Sequence, residues 1–174
     1  MAVQSAVLIV PPHSVQAFAA PLRRRFQPDT WMHIPAHITL LVPFAPPERL
    51  DDAVHRLVAA LAKEPPFRVT LDHYGRFPKA TFLEPREPQP ILDLYRRLAA
   101  VFPEYPVYEG EYGGDLTPHL TLARFEMESD VRAFTMPPAP TLTFTVDRLT
   151  VYTGSPDEPI PFVPQAVLPL RGRP

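Results

Sequence analysis

Hydrophobic and polar positions alternate with two different periods along this chain, and the switches between them mark the elements. Ala6-Val7-Leu8-Ile9-Val10 is a short continuous apolar run stopped by Pro11-Pro12, the pattern of a buried strand. Val15, Phe18, Ala19, Leu22 and Phe26 then recur at helical spacing behind Ser14, which predicts a helix capped by that serine. Pro21 inside it predicts a kink or an early end. His37 to Val42 is the next strand candidate, closed by Pro43.

Pro46-Pro47 and Glu48 open the strongest helical pattern, with Leu50, Ala53, Val54, Leu57, Val58 and Leu61 as one stripe and Pro65-Pro66 as the stop. Phe67 to His73 and Lys79 to Leu83 read as two strands joined around Gly75. A helix follows Pro90 on Ile91, Leu94, Tyr95, Leu98 and Phe102, and a polar, acidic loop runs from Glu104 to Asp115. Pro118 to Phe125, Thr141 to Tyr152 and Phe162 to Leu170 are strand-like, with a short helix after the first. Helices and strands mix without strict alternation, so the expected class is α+β with mainly antiparallel sheets. No Gly/Ser-rich linker divides the 174 residues, which favours one domain of two intimate lobes over two independent domains. The Pro-rich stretch Pro85 to Pro90 is the expected crossing between lobes.

Composition narrows the chemistry. With no cysteine, a thiol nucleophile, a disulfide scaffold and a Cys-based metal site are excluded. A net charge of −2 argues against a coat for long nucleic acid, though a basic cleft remains compatible with it. No apolar run approaches the ~20 residues of a membrane span, and the first residues lack a charged signal-peptide region, so a cytoplasmic protein is expected. Proline is abundant, 26 of 174 residues, but it falls between the periodic segments and predicts rigid loops rather than low complexity.

One motif occurs twice. Pro35-Ala36-His37-Ile38-Thr39-Leu40 is echoed by Thr117-Pro118-His119-Leu120-Thr121-Leu122. Two such His–apolar–Thr–Leu tetrads arise by chance in roughly 1 in 5,000 sequences of this make-up, so the pair outweighs any lone motif. On a strand, residues two apart share a face. His37 and Thr39 therefore point one way, as do His119 and Thr121, while Ile38, Leu40, Leu120 and Leu122 turn to a core. If the two strands are neighbours, two imidazoles and two hydroxyls converge. Such a set suits a phosphodiester. One imidazole can take a proton from water while the other protonates the leaving oxygen. The hydroxyls can donate to the non-bridging phosphate oxygens. This chemistry calls for no metal or other cofactor.

The tetrads resemble those of the two-histidine phosphoesterase superfamily, in its bacterial branch of 2′-5′ RNA ligases and RNA 2′,3′-cyclic phosphodiesterases. Pro118 to Arg124 is especially similar, and Tyr74-Gly75-Arg76-Phe77-Pro78 and Leu149 to Ser155 are further echoes. The resemblance implies two pseudo-symmetric lobes flanking a central cleft, helices outside, with one tetrad (37–40 and 119–122) from each. It also implies His37 and His119 as acid and base and Thr39 and Thr121 as phosphate ligands. Phe162 stands where related sequences tend to carry tyrosine, which removes any phenol-dependent contact there.

Other residues weigh less. Alternation puts Arg124 on the apolar side, uncomfortable for a guanidinium unless the strand ends or bulges there, so it stands between a structural residue and a substrate contact. Tyr152, Phe82, Phe44 and Phe125 are candidates to stack a base, against the commoner role of strand aromatics as core. His13, His55 and His73 have no partner pattern, and His33 can enter the cleft through its closeness to His37. Arg23-Arg24-Arg25 reads first as a solvated helix end. The expected activity is hydrolysis of a 2′,3′-cyclic phosphate on an RNA end or small nucleotide. Its alternatives are the reverse ligation and a non-catalytic RNA-end or nucleotide-binding module. No membrane or obligate protein partner is expected, and the chain is expected to be a monomer.

Overall fold

The structure, a computed structural model, describes residues 3–29, 32–111, 115–155 and 161–173. The chain runs through β1 (Gln4–Ile9), α1 (His13–Phe26), β2 (Ile38–Leu41), α2 (Leu50–Leu61), β3 (Phe67–Phe77), β4 (Ala80–Pro85) and α3 (Gln89–Val101). It continues through β5 (Leu120–Arg124), α4 (Glu128–Ala133), β6 (Leu142–Val146), β7 (Arg148–Gly154) and β8 (Val163–Pro169). The strands form one sheet in the order β6-β3-β4-β5-β2-β1-β7-β8, with every adjacent pair antiparallel. This is the α+β class expected from the pattern.

The middle of that sheet is its thinnest join. β2 and β5 meet at one register pair, Ile38 with Leu120, whereas every other neighbouring pair runs for several residues. Four strands therefore lie on each side of a narrow seam, and the two tetrads occupy its two inner edges. One half is the contiguous run β3 to β6, and the other joins β1 and β2 to β7 and β8, with β7 pairing back onto β1. The chain thus changes halves through α2 and again at Asp147, not at 85–90. That Pro-rich stretch leads from β4 into α3, which returns the chain to β5 in the same half.

The back of the sheet carries the core. Val7, Ile9, Ile38, Leu40, Leu83 and Leu120 are buried with Ala53, Leu57 and Leu61 of α2 and Ile91, Leu94 and Leu98 of α3. Each fully buried leucine or isoleucine contributes about 1.5–3 kcal/mol of transfer free energy. Val58, placed by periodicity on the same α2 stripe, is 49% exposed, because the buried face is the narrower Ala53–Leu57–Leu61 line.

Four local expectations change. Ser14 lies inside α1 instead of capping it; the helix starts at His13 after Pro12, with no side-chain cap. α1 also runs through Pro21 to Phe26. The carbonyl that Pro21 leaves without its helical donor belongs to Ala17, and both residues are exposed, so water can serve it. Gly75 is inside β3, with the hairpin turn at 78–79. Thr141 to Tyr152 is two strands, split at Asp147 where the chain changes halves. Of the loop 104–115, residues 112–114 lie outside the described residues. Among the described residues no helix is long and apolar enough to cross a membrane.

Candidate active site

The two tetrads line one cavity of about 530 Å³, which His37, Thr39, His119 and Thr121 all enter. Each histidine sits one residue ahead of its strand, and each threonine lies on the strand's cleft face. The alternation drawn from the sequence holds: Ile38, Leu40, Leu120 and Leu122 are fully buried on the other side. Leu8, opposite Thr39, forms floor, and Phe82 lies opposite Thr121.

The two imidazoles are held in the same way. His37 Nδ1 is 2.7 Å from the carbonyl oxygen of Pro35, and His119 Nδ1 is 2.7 Å from that of Thr117. A carbonyl can only accept, so each Nδ1 carries the hydrogen and each neutral ring keeps its lone pair on Nε2. In both tetrads the acceptor lies two residues before the histidine. The shared backbone bend thus sets the tautomer twice, without a carboxylate.

Their surroundings differ. Burial pushes His37 down from 6.5 to about 4; the Pro35 hydrogen bond opposes this, while the charges of Arg23, His119 and Arg124 add to it. His119 is also lowered, first by burial and then by Arg124, against its hydrogen bond to Thr117 and the negative charge of Glu84. The rings of Phe77 and Phe82 pack on His119 with centroids 4.9 and 5.1 Å away. Gly75 makes room for this: a Cβ there would overlap the Phe82 ring and the Glu84 carboxylate.

Arg124 reaches the cavity because the strand bulges. Thr81 pairs with Ala123 and Phe82 with Thr121, so Leu122 is the extra residue on β5. Past it the alternation is reset, and Arg124 is exposed into the cleft. Tyr152 stands opposite Ala6 on the cleft face, half-buried and one strand further out, and is not among the residues lining the cavity. Phe44 packs in the core with Phe102 and Tyr105, while Phe125, half-buried, clusters with Phe26 and Phe134. His33 and Phe162 do line the cavity, and the Phe162 amide donates to the His33 carbonyl at 2.8 Å. His55 is exposed on α2, and His73 lies in an exposed cluster with Asp72 and Glu84.

Two residues of α1, Gln16 and Arg23, brace the segment that leads into His37. The Gln16 amide binds Ala36 both ways, its Nε2 donating to the carbonyl at 2.8 Å and its Oε1 accepting from the amide at 2.9 Å. Arg23, read as solvated, is 5% exposed, lines the cavity and donates to the Ile34 carbonyl at 2.8 Å. The signal was present. Arg23 lies four residues after Ala19 and eight after Val15, on the buried line of the helix. Ser155, also in the cavity wall, is buried with no partner for its Oγ among the described residues.

A continuous curled antiparallel sheet with paired His/Thr edges at its seam defines a class, and comparison with known proteins agrees. The 2′-5′ RNA ligase superfamily model matches residues 11–158, and the chain belongs to that family. Its fold is that of a crystal structure of TT0787 of Thermus thermophilus, 23% identical over 97% of this chain and 98% of that one, with a TM-score of 0.69. Escherichia coli LigT complexed with 3′-AMP is similar at 22% identity, TM-score 0.72, over 98% and 99% of the two chains. A further phosphoesterase structure gives 21% identity and TM-score 0.73 over the same shares. No curated protein sequence matches. The chain is therefore a 2′-5′ RNA ligase-like phosphoesterase, in keeping with the two-histidine resemblance of its tetrads.

Proposed function

We propose that this protein hydrolyses a 2′,3′-cyclic phosphate on an RNA end or small nucleotide, with His37 and His119 as the acid–base pair. The observation that carries this reading is the matched Nδ1–carbonyl bonding, which turns both Nε2 atoms to proton transfer in one cavity. His37, the ring whose neutral form burial favours more, takes the proton from water. The hydroxide attacks phosphorus, the bond to the 3′ oxygen breaks, and that oxygen takes the proton of His119, leaving a 2′-phosphate and a 3′-hydroxyl. Glu84 favours the charged form of His119, and an anionic substrate favours it further. Thr39, Thr121 and Arg124 offer donors to the non-bridging oxygens, where charge accumulates. LigT holds 3′-AMP in one of its structures, a ligand of the same nucleotide-monophosphate class as the product proposed here. The same groups run in reverse would join a cyclic phosphate to a 5′-hydroxyl, and the family to which the chain belongs keeps that as the second reading.

The test is incubation with a 2′,3′-cyclic nucleotide, with and without chelator, for the native protein and for His37→Ala and His119→Ala. Chelator-resistant formation of the 2′-phosphate is expected, with a loss of about 10²–10⁴-fold in each variant. Full activity in either variant refutes the pair. Offering two RNA halves in the same assay separates hydrolysis from ligation by product length.

A further inference from the structure

Among the described residues Arg23 is a buried cation without a counter-charge. Its guanidinium has five N–H donors, and among the described residues its one hydrogen bond is to the Ile34 carbonyl. Among the described residues no carboxylate pairs with it. Burial of an unpaired charge is costly unless something else supplies the opposite sign. The guanidinium faces the cavity, close enough to His37 for its charge to bear on that imidazole. Gln27 lies one turn further along, its backbone amide donating to the Arg23 carbonyl at 2.7 Å. Gln27 also lines the cavity, and its Nε2 is buried with no partner among the described residues. Two sets of unused donors, one of them charged, thus stand in the cavity apart from the paired tetrads.

We propose that Arg23 and the Gln27 amide form a second anion subsite, which takes the 5′-phosphate of the nucleotide whose cyclic phosphate lies between His37 and His119. The inference rests on the reading of the cavity as a cyclic-phosphate site and adds a substrate preference to it. A planar fork of donors matches phosphate oxygens two at a time, which a point charge does not. An RNA end carries a phosphate at that 5′ position; a nucleoside 2′,3′-cyclic phosphate does not. The subsite therefore selects RNA ends and 5′-phosphorylated nucleotides over the bare cyclic nucleoside.

Binding of products tests this without turnover. Titration calorimetry compares a nucleoside 2′,5′-bisphosphate with the 2′-monophosphate on the native protein, Arg23→Met and Gln27→Ala. The bisphosphate is expected to bind about 10–100-fold more tightly to the native protein, as a charged hydrogen-bonded contact provides. That ratio is expected to fall to about one in Arg23→Met and to narrow in Gln27→Ala. Equal native affinities overturn the subsite and leave the hydrolytic reading intact; no native binding of either ligand overturns both. A ratio unchanged in Arg23→Met overturns it, as does an equal loss of both ligands, which would make Arg23 only a brace for residues 34–36. Should Arg23→Met not fold, an unchanged ratio in Gln27→Ala overturns it.

Discussion

Protonating His37 should destabilise the folded protein. Burial holds this imidazole at about 4 against an ordinary value of 6.5, so the unfolded chain binds its proton more readily than the native one. Stability from this group is then complete above pH 6.5 and is lost as pH falls towards 4. At 1.36 kcal/mol per pH unit the full difference is about 3 kcal/mol, of which about 2 kcal/mol is gone by pH 4.5. His119 acts in the same direction, whereas His73, raised by Asp72 and Glu84, acts in the opposite one. A single acid-stability curve therefore mixes several groups, and the assay must isolate one. Urea unfolding at pH 7.0 and pH 4.5 on the native protein and on His37→Gln does so, because the other groups cancel in the difference. Glutamine keeps an amide donor for the Pro35 carbonyl and does not titrate. The native protein is expected to lose about 2 kcal/mol more than the variant between the two pH values. Equal losses would refute the reasoning, and with it the assignment of His37 as the group kept neutral to act as base.

Three further substitutions follow from the geometry. Thr39→Val and Thr121→Val preserve shape and strand preference while removing a donor to a charged oxygen, so each should lower kcat/KM by about 10–100-fold on a 2′,3′-cyclic nucleotide with melting temperature nearly unchanged. A loss of stability without loss of rate would mark them as strand formers only. Gly75→Ala should cost about 1–3 kcal/mol in urea unfolding and lower kcat, because the new Cβ pushes the fully buried Phe82 ring, which packs on His119. Unchanged stability would show that Phe82 and Glu84 yield freely.

The tetrads are legible in the sequence because everything they need is local. A period of two places His37 and Thr39 together, and the two-residue step back to a carbonyl is equally short-range. The α+β class follows from the mixed periodicities. What could not be read were features decided by residues far apart in the chain. Gly75 looks like a turn until Phe82, from the next strand, is seen to occupy the space a side chain would need. Thr141 to Tyr152 looks like one strand because both pieces have strand composition; the break at Asp147 falls where the chain leaves one half of the sheet for the other. Arg23 escapes for a different reason. Its neighbours Arg24 and Arg25 suggest a charged helix end, and that charge masks its place on the Val15–Ala19 line.

On the proposed mechanism, the doubled motif has to supply two groups with different work. Acid–base catalysis of ring opening needs one group without a proton and one with it at the same pH, yet the two imidazoles are held by the same local hydrogen bond. Local sequence alone would make them equivalent. Burial, the largest influence on both rings, pushes His37 further down, and Arg124 lowers both; Arg23 then adds to the shift at His37 while Glu84 opposes it at His119. Unequal burial and these unlike charges separate the proton affinities of the pair. The seam where β2 meets β5 at one register pair brings those unlike surroundings to one cavity. In the proposed reading the repeated motif supplies the two groups, and residues outside the repeat give them different work.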